Sequence, residues 1–303
     1  MDINILYLSI LWGIAAACLG WYIVLITQQI TYVTLADGRK QERKLPLIFL
    51  LFIPLTPNFT PLFTRSTFDK PREKISIKLT AAGFEGLLSS EEFLSLRAIL
   101  PICLGALWCA FIIICGRASP NSFIEKNQLI FCLLGPLWFS YYPSVWLKKA
   151  LAIRHRSIQR SLPFTLDLLT LSVEAGLDFM TSLQRFTERT KIDSLAEELI
   201  RVVREIQIGK TRREALRNMA ERVNLPELKS VVNALIQADE LGVSIGSILR
   251  IQSDQIRQRR FERAEKLANE APVKMLAPLI LFIFPAVFLI LLGPIIMKFL
   301  HEM

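Results

Sequence analysis

The sequence predicts an all-α membrane protein, with about four transmembrane helices and a cytoplasmic antiparallel helical bundle. Three observations predict it. Hydrophobic residues make up 52% of 303 residues at a mean hydropathy of +0.40, too apolar for a soluble domain of this size. Charged residues are nonetheless 21% of the chain, so the apolar residues must be gathered into blocks with the charge held elsewhere. The longest charged stretch, 148–274, shows helical periodicity and no sustained two-residue alternation, so a sheet is not expected.

The apolar blocks come in order along the chain. A bilayer core about 30 Å thick requires roughly 20 apolar residues in a helix. Ile3 to Ile30, Ala98 to Gly116, Leu129 to Leu147 and Met275 to Met297 meet that length without a charge or nearly so. The first block is too long and lacks the basic start of a signal peptide, so 1–30 is expected to be a retained anchor. Leu45 to Phe63 is long enough but carries Pro46, Pro54, Pro57 and Pro61. Proline removes backbone donors and kinks helices, so an interfacial or re-entrant segment packed on the other spans is expected there. Segment 31–97 is then a cytoplasmic or interfacial segment, ending in a short helical hairpin around Gly83 capped by Ser89 or Ser90. Residues 98–147 form a transmembrane hairpin, and 275–303 a last transmembrane helix in which Pro278, Pro285 and Pro294 either kink the span or only shape its packing.

Basic residues set the orientation. Residues 148–274 hold 23 Lys+Arg against 17 Asp+Glu, whereas the 117–128 loop holds only Arg117 and Lys126. The basic segments face the cytoplasm, and both termini face outside. This describes a multi-pass membrane protein with 148–274 on the cytoplasmic side.

Within 148–274, Leu195, Leu199, Val202 and Ile206 recur on one helical face, and Leu228, Val231, Leu235 and Ala238 on another. Glu197 with Arg201, and Arg201 with Glu205, read as four-apart pairs on the wet side. A repeat overlies these helices. Gly176, Gly209 and Gly242 are 33 residues apart, and each is followed seven residues later by a leucine, Leu183, Leu216 or Leu249. Glycine enters the left-handed conformation cheaply, so the unit is helix, glycine cap, tight turn, helix, stacked as an up-and-down bundle.

Chemistry-bearing motifs are sparse. Five cysteines lie in apolar runs without a Cys-x-x-Cys pair, and the two histidines, His155 and His301, sit near no candidate nucleophile. Gly209-Lys210-Thr211 mimics the tail of a phosphate loop, but its upstream glycine is missing. No catalytic residue, cofactor or metal is expected, and the protein is not expected to be an enzyme. Glu174 and Glu240 stand at helix ends where the dipole disfavours acids, which predicts a compensating contact. With Gly176, Gly209 and Gly242 they are candidates for partner binding. Arg257, Arg260 and Arg263 form a basic face suited to anionic lipid or an acidic partner; beside a span, nucleic acid is not expected. A transporter or channel is the alternative reading, although an ionisable residue within a span, its usual mark, is missing from the four runs.

Three blocks carry a resemblance: Leu162-Pro-Phe-Thr-Leu-Asp-Leu-Leu-Thr-Leu-Ser-Val-Glu-Ala-Gly-Leu, Gly209-Lys-Thr-Arg-Arg-Glu-Ala-Leu, and Ala271-Pro-Val-Lys-Met-Leu-Ala-Pro-Leu-Ile-Leu-Phe-Ile-Phe-Pro-Ala. In this order, followed by a membrane helix, they resemble the F-domain platform proteins of type II secretion and type IV pilus machines, most closely the C-type platform subunits of tight-adherence (Tad) pili. The likeness covers roughly residues 78–297. Phe164 stands where the family often has an acid, and Ala277 where it often has a larger residue. The resemblance implies a non-enzymatic platform that couples a secretion ATPase to pilin extraction and polymerisation. The partners it implies are that ATPase, a related second platform subunit, pilin subunits and membrane lipids, within an oligomer.

Overall fold

Apolar and amphipathic segments alike become helices in the computed structural model, which describes residues 32–34, 40–42, 45–63, 68–118, 127–191 and 193–301. The anchor expected at 1–30, and most of the loops 31–44 and 117–128, lie outside the described residues. The first described elements are strands β1 (Tyr32–Thr34) and β2 (Lys40–Glu42), an antiparallel pair with Val33 opposite Gln41. This hairpin lies outside 148–274, the stretch in which no sheet is expected, and leaves the all-α class unchanged. Three residues per strand are too few to carry a two-residue alternation, so the pairing left no periodic signal.

The proline-rich run breaks as its composition predicts. It forms α1 (Leu47–Phe52), a 3-10 turn (Ile53–Asn58) and α2 (Thr60–Phe63). Phe49 is fully buried, edge-on to Phe93, Tyr142 and Trp146 at ring-centroid distances of 6.4, 6.2 and 4.8 Å. Helix α3 (Asp69–Ala82) ends at Gly83, φ 80°, and α4 (Ser90–Ala118) begins after it. Ser89 and Glu92 cap α4 reciprocally: the Glu92 amide donates to Ser89 Oγ at 3.1 Å, and the Ser89 amide to Glu92 Oε2 at 2.8 Å. The hairpin expected here is therefore present, but its second arm runs on into a membrane-length helix.

Among the described residues, three helices are long and apolar enough to cross a membrane. Helices α4 and α5 (Gln128–Glu174) pack as an antiparallel pair whose close approach depends on small residues. A Cβ on Gly135 would lie 2.1 Å from Trp108 Cδ1, and one on Gly105 would lie 2.8 Å from Pro136 Cγ. Trp108 Nε1 donates to the Phe131 carbonyl at 3.0 Å across the same contact. Helix α5 does not stop at the end of its apolar half. It continues 27 residues past Leu147, about 40 Å at 1.5 Å per residue. The third helix behaves alike: α10 (Ile245–Pro278) passes through a π turn (Leu279–Ile283) into α11 (Phe284–His301). The π turn lies between Pro278 and Pro285, where the missing proline N–H groups interrupt the hydrogen-bond ladder. The boundaries read from the sequence at 147/148 and 274/275 thus fall inside continuous helices.

Around the charged ends of α5 and α10 stand α6 (Phe179–Arg189), α7 (Ser194–Gln207), α8 (Arg212–Val223) and α9 (Pro226–Leu241). The six alternate in direction and close over one apolar core. Leu183, Leu216 and Leu249, the leucines of the 33-residue repeat, all lie in it, with Ile158, Leu199, Met219 and Leu235. Helix starts are capped by side chains: Asp178 accepts from the Met180 amide, Asp193 from Ala196, and Thr211 from Glu214. Gly176, Gly209 and Gly242 adopt φ of 91°, 107° and 68°, and an added Cβ would meet nothing within 4 Å at any of them. Only the left-handed backbone demands glycine there, a preference of about 1–2 kcal/mol per site.

Candidate functional site

Because the helices alternate, the three glycine turns share one end of the bundle, the end farthest along α5 and α10 from their apolar halves. Ion pairs tie the turns together. Arg212, just after Gly209, reaches Asp178 at 3.9 Å and Asp239 at 3.6 Å, with its guanidinium 5.9 Å from the Phe179 ring centroid. Arg213 bonds Asp239 at 2.8 Å and lies 3.7 Å from Glu240. The hydrogen bond to Asp239 holds the Arg213 pKa above its usual value. Glu174 accepts from Arg250 at 2.9 Å. The compensating contacts expected for Glu174 and Glu240 are thus basic side chains of the same bundle. These pairs are exposed, worth about 0–1 kcal/mol each, so their main effect is to orient the turns.

Five of the eight sequence candidates, Glu174, Gly176, Gly209, Glu240 and Gly242, meet at this tip. The other three do not. Arg257 bonds Asp167, Arg260 the Gln159 carbonyl and Arg263 Glu227, so these arginines fasten α10 to α5 and α9. Burial alone raises the Glu227 pKa, but hydrogen bonds from Arg263 and Gln159 outweigh it and hold the carboxyl below its usual range. Arg257 and Arg263 remain 62% and 58% exposed, so one side of each is open to solvent. Among the described residues no three His, Cys, Asp or Glu side chains gather as a metal site.

The sequence reading missed the apolar side chains of the tip. Ile208 is 74% exposed and Leu241 77%, each directly before a cap glycine, with Val243 exposed beside Gly242. Their signal was positional. Ile208 falls off the stripe Leu195, Leu199, Val202, Ile206, so the core cannot take it. Exposed apolar side chains thus stand directly before the cap glycine at two of the three turns, beside the charged ring.

The sequence reading also placed Glu197 on the wet face, and the structure reverses this. Glu197 and Glu198 are 1% and 2% exposed, and both meet Arg154 Nη2, at 3.2 and 2.8 Å. Arg154 is 4% exposed, and its Nε and Nη1 have no hydrogen-bond partner among the described residues. Arg222 joins Glu198 at 3.1 Å to Glu205, which also receives Lys210 and Asn218 at 2.9 Å. Burial raises the Glu205 pKa, but these donors outweigh it and leave the carboxyl below its usual range. Arg201 turns away to Glu85 in the α3–α4 turn, 2.8 Å away, so the network bonds the bundle to the membrane-side hairpin. Burial lowers the Arg201 pKa, and the Glu85 hydrogen bond with the nearby Glu198 outweighs it and holds it raised. The four-apart spacing of Glu197, Arg201 and Glu205 was correct as helical geometry, but each residue takes a partner from outside its own helix.

Residues 165–293 match the family described as type II secretion system (T2SS), protein F, less than half of the chain. The match runs from the charged part of α5 through the whole bundle into α11. No curated protein and no solved structure matches the chain.

Proposed function

We propose that this chain, which carries a type II secretion system protein F domain at residues 165–293, is a non-enzymatic platform subunit of the bacterial inner membrane for pilus assembly or type II secretion. In this reading a separate secretion ATPase docks on the tip where the three glycine turns meet, and its motion reaches pilin subunits leaving the bilayer. A tight-adherence pilus is the machine that the sequence resemblance favours, with a second, related platform subunit beside this one.

One observation carries the reading: the tip joins exposed Ile208 and Leu241 to the charged ring of Glu174, Arg212, Arg213 and Glu240, at the end of two helices that continue into membrane-length spans. A load applied there passes along α5 and α10 without crossing a loop. Motion of that kind needs a stiff lever, and the single packed core supports one. Apolar anchors rimmed by charge are the usual composition of a protein docking face.

Orientation is the first test. A cysteine placed at Ile208 is expected to react with a membrane-impermeant maleimide in inverted membrane vesicles and to stay unreacted in intact spheroplasts. Labelling in spheroplasts at the rate seen in inverted vesicles would put the tip on the wrong side for a cytoplasmic ATPase.

A further inference from the structure

A cleft of about 460 Å³ opens between the bundle and the membrane-side hairpin, on the opposite side of the bundle from the tip. Trp146, Lys149, Ala150, Ile153, Arg154 and Ser157 line it from one face of α5, where residues three and four apart are neighbours. Ala82 at the end of α3, Phe84 after it and Ser194 at the start of α7 complete it. Its volume lies in the range of small-molecule sites.

Three features give the cleft a chemical preference. Among the described residues the ion-pair network behind it has equal numbers of each sign: Arg154, Arg201, Lys210 and Arg222 face Glu85, Glu197, Glu198 and Glu205. Lys149 is then the surplus charge, exposed in the cleft wall and without an ion pair among the described residues. Arg154 supplies two buried donors, Nε and Nη1, that no acceptor among the described residues meets. The remaining wall is apolar and aromatic, with Trp146 tilted on Phe84 at 5.0 Å. It lies at Leu147, where the apolar half of α5 ends, the depth at which tryptophan marks the headgroup region.

We infer that this cleft binds the phosphate of an anionic membrane lipid. Lys149 supplies the charge, Arg154 Nε and Nη1 and the hydroxyls of Ser157 and Ser194 supply hydrogen bonds, and Trp146 with Phe84 and Ile153 covers the glycerol and first acyl carbons. A bound lipid would tie the bundle to the bilayer at the joint between α5, α7 and the α3–α4 turn. The site does not depend on the platform reading, because it needs only the membrane helices and the cleft.

Native mass spectrometry of the full chain in neutral detergent tests this, after incubation with phosphatidylglycerol, phosphatidylcholine or inorganic phosphate. One phosphatidylglycerol is expected to remain per chain, in preference to phosphatidylcholine, whose choline cation Lys149 disfavours. Lys149→Glu should reduce that occupancy by about fivefold or more, the change expected when one basic residue is lost against an anionic group. Arg217→Glu, an equal charge change on an exposed residue of α8 outside the cleft, should leave occupancy intact. Arg154→Lys removes the unmet donors while keeping a charge for Glu197 and Glu198; if it fails to fold, Lys149→Glu still decides, because Lys149 is exposed. A phosphate adduct that Lys149→Glu abolishes would uphold the phosphate site with free anion as its source. Equal retention of the two lipids, or occupancy unmoved by Lys149→Glu, would overturn it.

Discussion

Arg154→Met is expected to destabilise the bundle by about 3–5 kcal/mol, measured by denaturant or thermal unfolding of the full chain in detergent. The arginine is 4% exposed and its Nη2 is shared by Glu197 and Glu198, themselves 1% and 2% exposed. Methionine fills similar volume, so the loss is electrostatic. Two carboxylates that water cannot reach lose the cation between them, and they must stay charged in a poor solvent or take up protons. The network is charge-balanced only as a set, so the cost is not local to one pair. Arg154→Met combined with Glu197→Leu should recover part of the loss, since a buried ion pair can be replaced by apolar groups at little cost while half of one cannot. Simple addition of the two single-variant losses would mean that the two residues do not interact.

Leu249→Ala is expected to cost about 2–5 kcal/mol. Leu249 is fully buried on α10 and, with Leu183 and Leu216, lines a small apolar void of about 30 Å³ at the centre of the bundle. Truncation enlarges a space that already exists, and the three repeat leucines come from three helices, so no single helix can move in to fill it. Leu241→Ala provides the contrast. It removes the same atoms from a side chain that is 77% exposed, and the unfolding midpoint should move within error, about 0.5 kcal/mol. Similar losses at both positions would mean that Leu241 packs against something within the chain.

What the sequence disclosed, and what it concealed, follows from the range of each interaction. Gly176, Gly209 and Gly242 were legible because a left-handed turn is a local demand that few other residues meet, and the leucine seven positions on is fixed by helical geometry. The broken run from Leu45 to Phe63 was legible for the same reason, since proline acts on its own helix. Glu197 was misread because an amphipathic pattern separates wet from dry by residue type, while the partner that permits its burial, Arg154, stands 43 residues earlier on another helix. The continuity of α5 and α10 was hidden by a change of solvent. Charge begins near residues 148 and 274 while the backbone stays helical, so composition marks a boundary that the helix does not have.

The tip was half legible: its glycines and acids stood out, and its apolar anchors did not. Ile208 and Leu241 fall off the apolar stripes, and what sets them apart is their common place before a cap glycine, at the neighbouring turns that end α7 and α9.

The most direct measurement of the proposed docking at this tip is copurification of the proposed partner, a secretion ATPase, with the full chain carrying Ile208→Asp and Leu241→Asp together. The account predicts that ATPase recovery falls at least tenfold, the effect of losing about 1.4 kcal/mol or more of docking energy, while the unfolding midpoint of the chain stays where it was. Recovery equal to that of the unaltered chain would contradict it, and the bundle would have to receive its load somewhere other than the three glycine turns.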